Sequence, residues 1–145
     1  MLLFKNTMTI SSPIYEDSLQ IRRIVFIEEQ NVSPDIEIDD KEERCIHVVG
    51  YKKEKAVVTA RLLPLETNQY KVQRVAVLKK ERGKHYGKYL MLELERIARE
   101  KDATSIVLGA QNHALPFYDR LGYTINSEEY SEAGILHHDM IKILD

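Results

Sequence analysis

The chain has a single cysteine, no apolar run of membrane-spanning length and almost no net charge, −2 at pH 7 over 145 residues. Each shortage excludes something. One cysteine rules out an internal disulfide and fits a reducing compartment, so a cytoplasmic location is expected. Cys45 lies in the apolar stretch Cys45-Ile46-His47-Val48-Val49, where it reads as a small core residue rather than a nucleophile. Without a span of about 20 apolar residues, no membrane helix is expected. The run MLLFKNTMTI carries Lys5 inside its apolar part and has no small-residue cleavage site, so it does not read as a secretion signal. A near-neutral chain has no general attraction for nucleic acid. Repeats, linkers and low-complexity tracts are absent as well. The length suits one domain, residues 1–145, with a core of its own.

Against that background the stretch Tyr70 to Ile97 stands out. It opens as a strand, with Val72, Arg74 and Ala76 alternating with Gln73, Val75 and Val77. It closes as a helix, with Leu90, Leu94, Ile97 and Ala98 on one face and Glu93, Arg96 and Glu100 off it. Between them, the ten residues from Lys79 to Lys88 carry five Lys or Arg and one Glu, punctuated by Gly83 and Gly87. The first amides of a helix have no intrahelical partner and sit at the positive end of its dipole. A basic, glycine-bearing loop feeding such an end is a place for phosphate.

The remaining elements follow in order. A strand is expected over about Leu2–Ile10. Ser12 and Pro13 then start a helix as N-cap and first helical residue, and it runs to about Glu29 with Leu19, Ile21, Ile24, Val25 and Phe26 as a broad apolar face. Residues 30–44 are acidic and aperiodic, and read as a surface loop with room for one helical turn. Three strands, Cys45–Tyr51, Ala56–Pro64 and Gln69–Leu78, joined by the short turns Lys52–Lys55 and Glu66-Thr67-Asn68, form an antiparallel meander. After the basic loop come the helix Tyr86–Lys101, with Glu95 and Arg99 as an i,i+4 pair, and the apolar strand Thr104–Ala110, of the kind buried on both faces. A short helix, Asn112–Leu121, ends at Gly122. Strands Tyr123–Ile125 and Ile135–Leu144 close the chain, joined by a polar segment containing Gly134. A meander leading into a β-α-β unit, with helices for both faces, implies an α+β (mixed α/β) sheet fold.

Two nucleotide motifs fail. A P-loop needs four residues between its glycines and Ser or Thr after the lysine; Gly83 and Gly87 are one residue too close, and Tyr89 follows Lys88. The Rossmann pattern G-x-G-x-x-G is absent. The acyl-CoA pattern [QR]-x-x-G-x-[GA] after a strand does match, as Arg82-Gly83-Lys84-His85-Tyr86-Gly87, with His85 where the first glycine of the pattern usually stands. Further pieces accompany it: Val25 to Val32, Glu37-Ile38-Asp39, Ile46-His47, Ala60-Arg61, Arg74 to Val77, Ala110 to Tyr118, Gly122-Tyr123, and Ala133-Gly134-Ile135 with His137 and Met140. In these the chain resembles the GNAT superfamily of CoA-dependent N-acyltransferases, and within it the small bacterial ElaA/YjcF type, over nearly its whole length.

The resemblance implies a GNAT-like fold, with a central mixed, mostly antiparallel twisted sheet that splays in a V and carries helices on both faces. It implies acetyl-CoA as co-substrate. The pantetheine arm would pair with backbone at Val75, Ala76 and Val77, and the pyrophosphate with amides of Arg82, Gly83, Lys84, His85, Tyr86, Gly87 and Lys88. His85 would offer its amide from a helical conformation at the helix start. Asn112 would hold the pantetheine or cap the helix, and Phe117 would stand beside the cofactor. Tyr118 matches the family tyrosine that protonates the departing thiolate. For the base and the acceptor contacts the candidates are Glu29, Asp39, His47, His113 and His137, with Arg61 and Arg74 lining the acceptor pocket or pairing with Asp39. His47 and His137, both on strands, are placed in one cleft by this reading. His47, His113, His137 and His138 lack the spacing of a zinc site, so no metal is expected. The implied activity is acetyl transfer to a primary amine of a small molecule or peptide, with an acyl-CoA-binding sensor or scaffold as the alternative. Neither nucleic acid nor membrane is expected as a partner. A homodimer formed by exchanging the last strand would suit this order of elements.

Overall fold

Helix α1 (Pro13–Arg22) begins where Ser12 and Pro13 place it: the Ser12 hydroxyl accepts from the Ile14 N–H at 3.1 Å, and Pro13 takes the first turn. The computed structural model describes residues 1–66 and 68–145. Thr67, expected in the turn after the second strand of the meander, lies outside the described residues. The helix does not continue to Glu29 in α geometry. From Arg23 to Glu29 its turns widen to π geometry, and the Gln30 N–H donates to the Val25 carbonyl. The extra residue per turn rotates the apolar face: Val25 is buried, whereas Ile24 is 44% exposed. The following segment holds two helical pieces rather than one, α2 (Pro34–Glu37), capped by the Ser33 hydroxyl, and a 3₁₀ turn at Glu42–Arg44.

Strands β1 (Leu3–Thr7), β2 (Ile46–Lys52), β3 (Lys55–Leu65) and β4 (Gln69–Val77) lie side by side, each antiparallel to the next. β1 is shorter than expected, because residues 9–12 already turn into the helix cap. The β2–β3 turn is tight, with φ +49° at Lys53 and +69° at Glu54, the sense of turn that matches strand twist in a two-residue hairpin. Helix α3 (Tyr86–Glu100) then crosses over, and β5 (Ser105–Gln111) pairs parallel with β4. A 3₁₀ turn at Asn112–Ala114 leads into α4 (Leu115–Arg120), so the last helix starts later than Asn112. The final strands are β6 (Thr124–Ile125), β7 (Tyr130–Glu132) and β8 (Ile135–Ile143). β7 falls in the segment expected only as a polar connection containing Gly134. It is a hairpin partner of β8, through a turn with φ +52° at Ala133 and +76° at Gly134.

The sheet order is β1-β2-β3-β4-β5-β8, with β6 and β7 pairing different stretches of β8. All contacts but β4–β5 are antiparallel, which is the mixed, mostly antiparallel sheet that the element order implied. α3 buries Leu90, Met91, Leu94, Ile97 and Ala98 against Ile46, Val48, Leu62, Val72, Ile106 and Leu108 on one face. α1 and the π segment put Ile21 and Val25 against Val49, Tyr51 and Ala76 on the other. α1 lies over β1 to β4. On β5, therefore, Ile106, Leu108 and Ala110 are buried, while Val107 is half-buried and Gly109 exposed. The expectation of a strand buried on both faces fails for that reason.

The parallel pairing runs only from Gln69 opposite Ser105 to Val72 opposite Leu108. Beyond it, Gln73–Val77 of β4 and Gly109–Gln111 of β5 run on without pairing each other. The sheet is open there, between two central strands.

Candidate active site

Three elements border β4 and β5 here: β4 itself, the loop that feeds α3, which packs on β4, and α4, which packs on β5. The first is β4 itself. Thr59 faces Ala76, yet Arg61 faces Gln73, so β4 carries one extra residue between these pairs. This is a β-bulge. Arg74 sits in it at φ +59°, a conformation that costs a side-chain-bearing residue about 1–2 kcal/mol. Nothing in the alternation of residues 72–77 signals the bulge, since no glycine marks it. On the side away from β3, the backbone of Gln73–Val77 faces the opening without a strand partner.

The second element is the basic loop. A 3₁₀ turn covers Lys79–Glu81, Gly83 has φ +82°, and His85 caps α3 at φ +65°, ψ +17°. His85 is thus left-handed rather than helical. Its backbone takes a shape that glycine adopts freely, and its side chain makes no cap. The His85 carbonyl accepts from the Tyr89 N–H, which leaves the amides of Tyr86, Gly87 and Lys88 at the positive end of a 15-residue helix. The Arg82 Nε donates to the Val77 carbonyl at 3.0 Å, and its two terminal nitrogens grip the Glu29 carboxylate at 2.8 and 2.9 Å. Lys84 pairs with Glu81 at 2.9 Å. Lys79, Lys80 and Lys88 are exposed and form no ion pair among the described residues. His85→Gly should therefore relieve left-handed strain and raise stability by about 1 kcal/mol. Thermal melting checks this, with a rise of about 3 °C expected; an unchanged or lower melting temperature would show that the histidine side chain contributes more than its backbone costs.

The third element is α4. A Cβ on Gly87 would meet Phe117 Cζ at 3.3 Å, so the start of α3 packs on the Phe117 ring. Tyr118 lies edge-on to Phe117 and to Tyr123, at centroid distances of 5.0 and 5.9 Å. It is 8% exposed, and its hydroxyl makes no hydrogen bond among the described residues. Burial pushes its phenol up to about 12. Gly122, at φ +96°, closes α4. Tyr123 donates to the Glu95 carboxylate of α3 at 3.0 Å. Asn112 does not cap the helix. Its amide nitrogen donates to Glu129 at 2.7 Å, and its oxygen bonds His138 Nδ1 at 2.8 Å.

The candidate bases lie in different settings. Glu29 is held by Arg82, which lowers its carboxyl below the usual range. His47 is buried under α1, edge-on to Tyr15 at 4.7 Å, with Nε2 2.8 Å from the Glu42 carbonyl oxygen; burial lowers its pKa. His137 stacks on Tyr130 at 5.6 Å, with Nδ1 2.8 Å from the Ile135 carbonyl oxygen. Three strands separate His47 from His137, so the two do not share a cleft. His113 bonds the Gln111 side chain.

Asp39 belongs to a buried ionic cluster that the sequence did not reveal as a whole. Arg61 grips Asp39 through two nitrogens, at 3.0 and 2.9 Å, and reaches Glu42 at 2.7 Å and the Gln73 side chain at 3.0 Å. Arg22 bonds Glu42 at 2.8 and 2.9 Å and Glu37 at 2.9 Å. Arg74 reaches Glu37 at 2.9 Å and Asp39 at 3.5 Å. Three arginines thus face three carboxylates. Burial pushes Asp39 and Glu42 upward, but the guanidinium groups override it and hold both carboxyls low. The pairing of Arg61 and Arg74 with Asp39 was one of the two expectations for those residues. Its signal in the sequence was charged residues inside apolar segments: Arg22 on the helix, Arg61 and Arg74 on strands.

A sheet opening beyond a parallel strand pair, a basic helix N-terminus packed on Phe117 and a buried tyrosine next to that ring form the framework of an acyl-CoA-dependent acyltransferase. Residues 25–144 match the family model described as an acetyltransferase (GNAT) domain. The chain belongs to this family of acyl-CoA-dependent acyltransferases. It is 38% identical over 128 residues to the uncharacterized N-acetyltransferase YjcF of Bacillus subtilis, covering 88% of this chain and 91% of that one. Protein ElaA of Escherichia coli is 35% identical over 128 residues, or 86% of this chain and 84% of ElaA. The ElaA crystal structure superposes with a TM-score of 0.84 over 98% of this chain and 99% of its own. A structure described as a putative N-acetyltransferase from Lactobacillus plantarum gives 0.91, at 27% identity, over 99% of this chain and 98% of that one.

Proposed function

We propose that the chain, acting as one domain over residues 1–145 in the cytoplasm, transfers an acetyl group from acetyl-CoA to a primary amine by direct attack. The observation that carries this is the opening past Val72 and Leu108, flanked by unpartnered β4 backbone, the amides at the start of α3 and the free hydroxyl of Tyr118. The pyrophosphate lies on the amides of Arg82–Lys88, and Lys79, Lys80 and Lys88 steer the cofactor's charge. The pantetheine amides add to β4 at Val75, Ala76 and Val77 like a short extra strand, with Phe117 as wall. The amine lone pair attacks the thioester carbonyl carbon and forms the C–N bond. The oxyanion takes a hydrogen bond from the bulge, at the Val75 N–H. On collapse the C–S bond breaks, the electron pair stays on sulfur, and Tyr118 supplies its proton. The proton lost by the amine passes into water, and water returns one to the Tyr118 phenolate, which closes the cycle.

In this reading Glu29 positions Arg82 and the loop rather than serving as base, since the Arg82 grip disfavours protonation of its carboxylate. The acceptor approaches past the partly exposed edge of Asp39 and Arg74, on the sheet face that α1 leaves open near His137. His47 supports that wall from within.

One observation favours a second reading. Every carboxylate nominated as base is ion-paired, as a non-catalytic acyl-CoA sensor would allow. The two separate cleanly. Acetyl-CoA at 100 times its dissociation constant should stabilise the protein by about 2.7 kcal/mol in either case, readable as a rise in melting temperature. Thiol release from acetyl-CoA with a panel of amines and lysine peptides is expected only for the enzyme. Without the melting shift both readings fall.

A further inference from the structure

The bulge in β4 and the segment between α1 and β2 are distant in sequence, yet Arg74 joins them. From its strained position on β4 its Nε donates to the Glu37 carbonyl at 3.1 Å, and a terminal nitrogen donates to the Ile36 carbonyl at 3.0 Å. Its guanidinium also lies 2.9 Å from the Glu37 carboxylate and 3.5 Å from that of Asp39. These are not mobile partners. Glu37 is held by Arg22, Asp39 by Arg61, and Glu42 by both arginines. The planar fork of one arginine thus bonds two backbone carbonyls, with the Glu37 and Asp39 carboxylates close beside it, an arrangement an ammonium cannot reproduce.

β4 needs such a fixture. Up to Val72 it is held on both sides, by β3 and by β5. From Gln73 onward β5 has parted from it, and the register to β3 is broken at Arg74. The amides just after the bulge are therefore fixed on one side only, apart from the Arg74 side chain. A non-glycine residue keeps a left-handed conformation only where its surroundings over-determine it, and the clamp on the 36–39 segment supplies that determination.

We propose that Arg74 is a positioning residue for the acyl-transfer step: it locks the 36–39 segment to the bulge, so that the acceptor wall and the oxyanion-binding amides of β4 move as one rigid unit. Arg74 is then spent on the protein itself rather than on the substrate. Any acceptor that seats against residues 36–39 also tightens the amides at Val75 and Ala76. The proposal rests on the acyltransferase reading above and assigns that site its internal coupling.

The decisive variant is Arg74→Gly, because glycine accepts the left-handed backbone without strain while removing the guanidinium. The expected result has three parts. The melting shift produced by coenzyme A persists, held by the amides at the start of α3, while the loosened pantetheine contacts at Val75 and Ala76 raise the KM for acetyl-CoA by no more than a few fold. Thiol release from acetyl-CoA, with an equimolar mixture of spermidine, lysine and a lysine-containing peptide as acceptor, loses tenfold or more in kcat. Amide hydrogen exchange speeds up at both 36–39 and 75–76 and nowhere else. Arg74→Lys should behave like Arg74→Gly in exchange, since the fork is what matters. The proposal is overturned if Arg74→Gly keeps its kcat, if exchange rises at only one of the two segments, or if the coenzyme A shift disappears along with activity, which marks a general loss of structure. Failure of the underlying reading looks different, because wild type itself would then show no coenzyme A shift. The paired exchange response of 36–39 and 75–76 would still decide whether the clamp exists.

Discussion

Arg61→Met should lower the unfolding free energy by about 3–5 kcal/mol, the usual cost of leaving buried charge without its partner. Arg61 is 1% exposed and holds both Asp39 oxygens and one Glu42 oxygen. Methionine fills the space of the arginine stem, so little cavity is made and the loss reports on charge. Of its cationic partners Asp39 then keeps only Arg74, at 3.5 Å, and Glu42 only Arg22; each also keeps the backbone N–H it accepts from, that of Lys41 for Asp39 and that of Asp39 for Glu42. Urea denaturation measures the change directly, and the melting temperature should fall by about 10 °C. The pH dependence supplies a second check. Asp39 has its carboxyl held low in the folded state, against its own burial, by Arg61 first. A depressed carboxyl contributes stability that is present above its unfolded pKa of about 4 and is lost as pH falls through the lower folded value. The gap between wild type and Arg61→Met should therefore narrow in acid below about pH 4. A loss under about 1 kcal/mol, the worth of an exposed pair, would show that solvent reaches the cluster.

How far the sequence carries depends on how local the cause is. α3 was readable because its apolar spacing and the glycine-punctuated loop before it are local signals, and the structure starts that helix at the same Tyr86. The meander was readable from short polar turns. The cap at Ser12 and the left-handed Gly122 follow from single residues. What was not readable is set at a distance. Arg74 has no local reason to be left-handed; its reason is the 36–39 segment, more than thirty residues earlier. Likewise the acidic segment resembled solvated surface because the arginines beneath it come from α1, β3 and β4. Lys53-Glu54 and Ala133-Gly134 turn tightly without the usual Asn-Gly signal, so the second of these hid β7. The candidate site divides the same way. Its cofactor side, one loop and one helix start, is written contiguously. Its proposed acceptor side is assembled from separate segments, which is why Asp39 could be matched with Arg61 and Arg74, whereas Glu29 and His47 could be named but not given their partners Arg82 and the Glu42 carbonyl.

Tyr118→Phe tests the chemical step on a residue whose removal should leave the fold alone. The hydroxyl makes no hydrogen bond among the described residues, and the ring contacts with Phe117 and Tyr123 do not need it. Melting temperature and the KM for acetyl-CoA should therefore stay close to wild type. The turnover number should fall by about 10²–10⁴, the range for loss of a positioned general acid. The pH profile gives the assignment its sign. Burial pushes the phenol up to about 12, so it stays largely protonated through the neutral and mildly alkaline range and loses its proton as pH approaches and passes that value. The wild-type rate should rise with pH as the acceptor amine deprotonates, and then hold a plateau with no descending limb up to about pH 10, the ordinary tyrosine value. An acid with an unshifted phenol would already be half lost there. Two results would remove Tyr118 from the mechanism: a phenylalanine variant that turns over within twofold of wild type, or a wild-type rate that falls between pH 8 and 10 in step with some other group. If the variant instead keeps the burst of thiolate but slows protonated-thiol release, the tyrosine acts after C–S cleavage. The collapse of the tetrahedral intermediate then depends on the amides at the bulge alone.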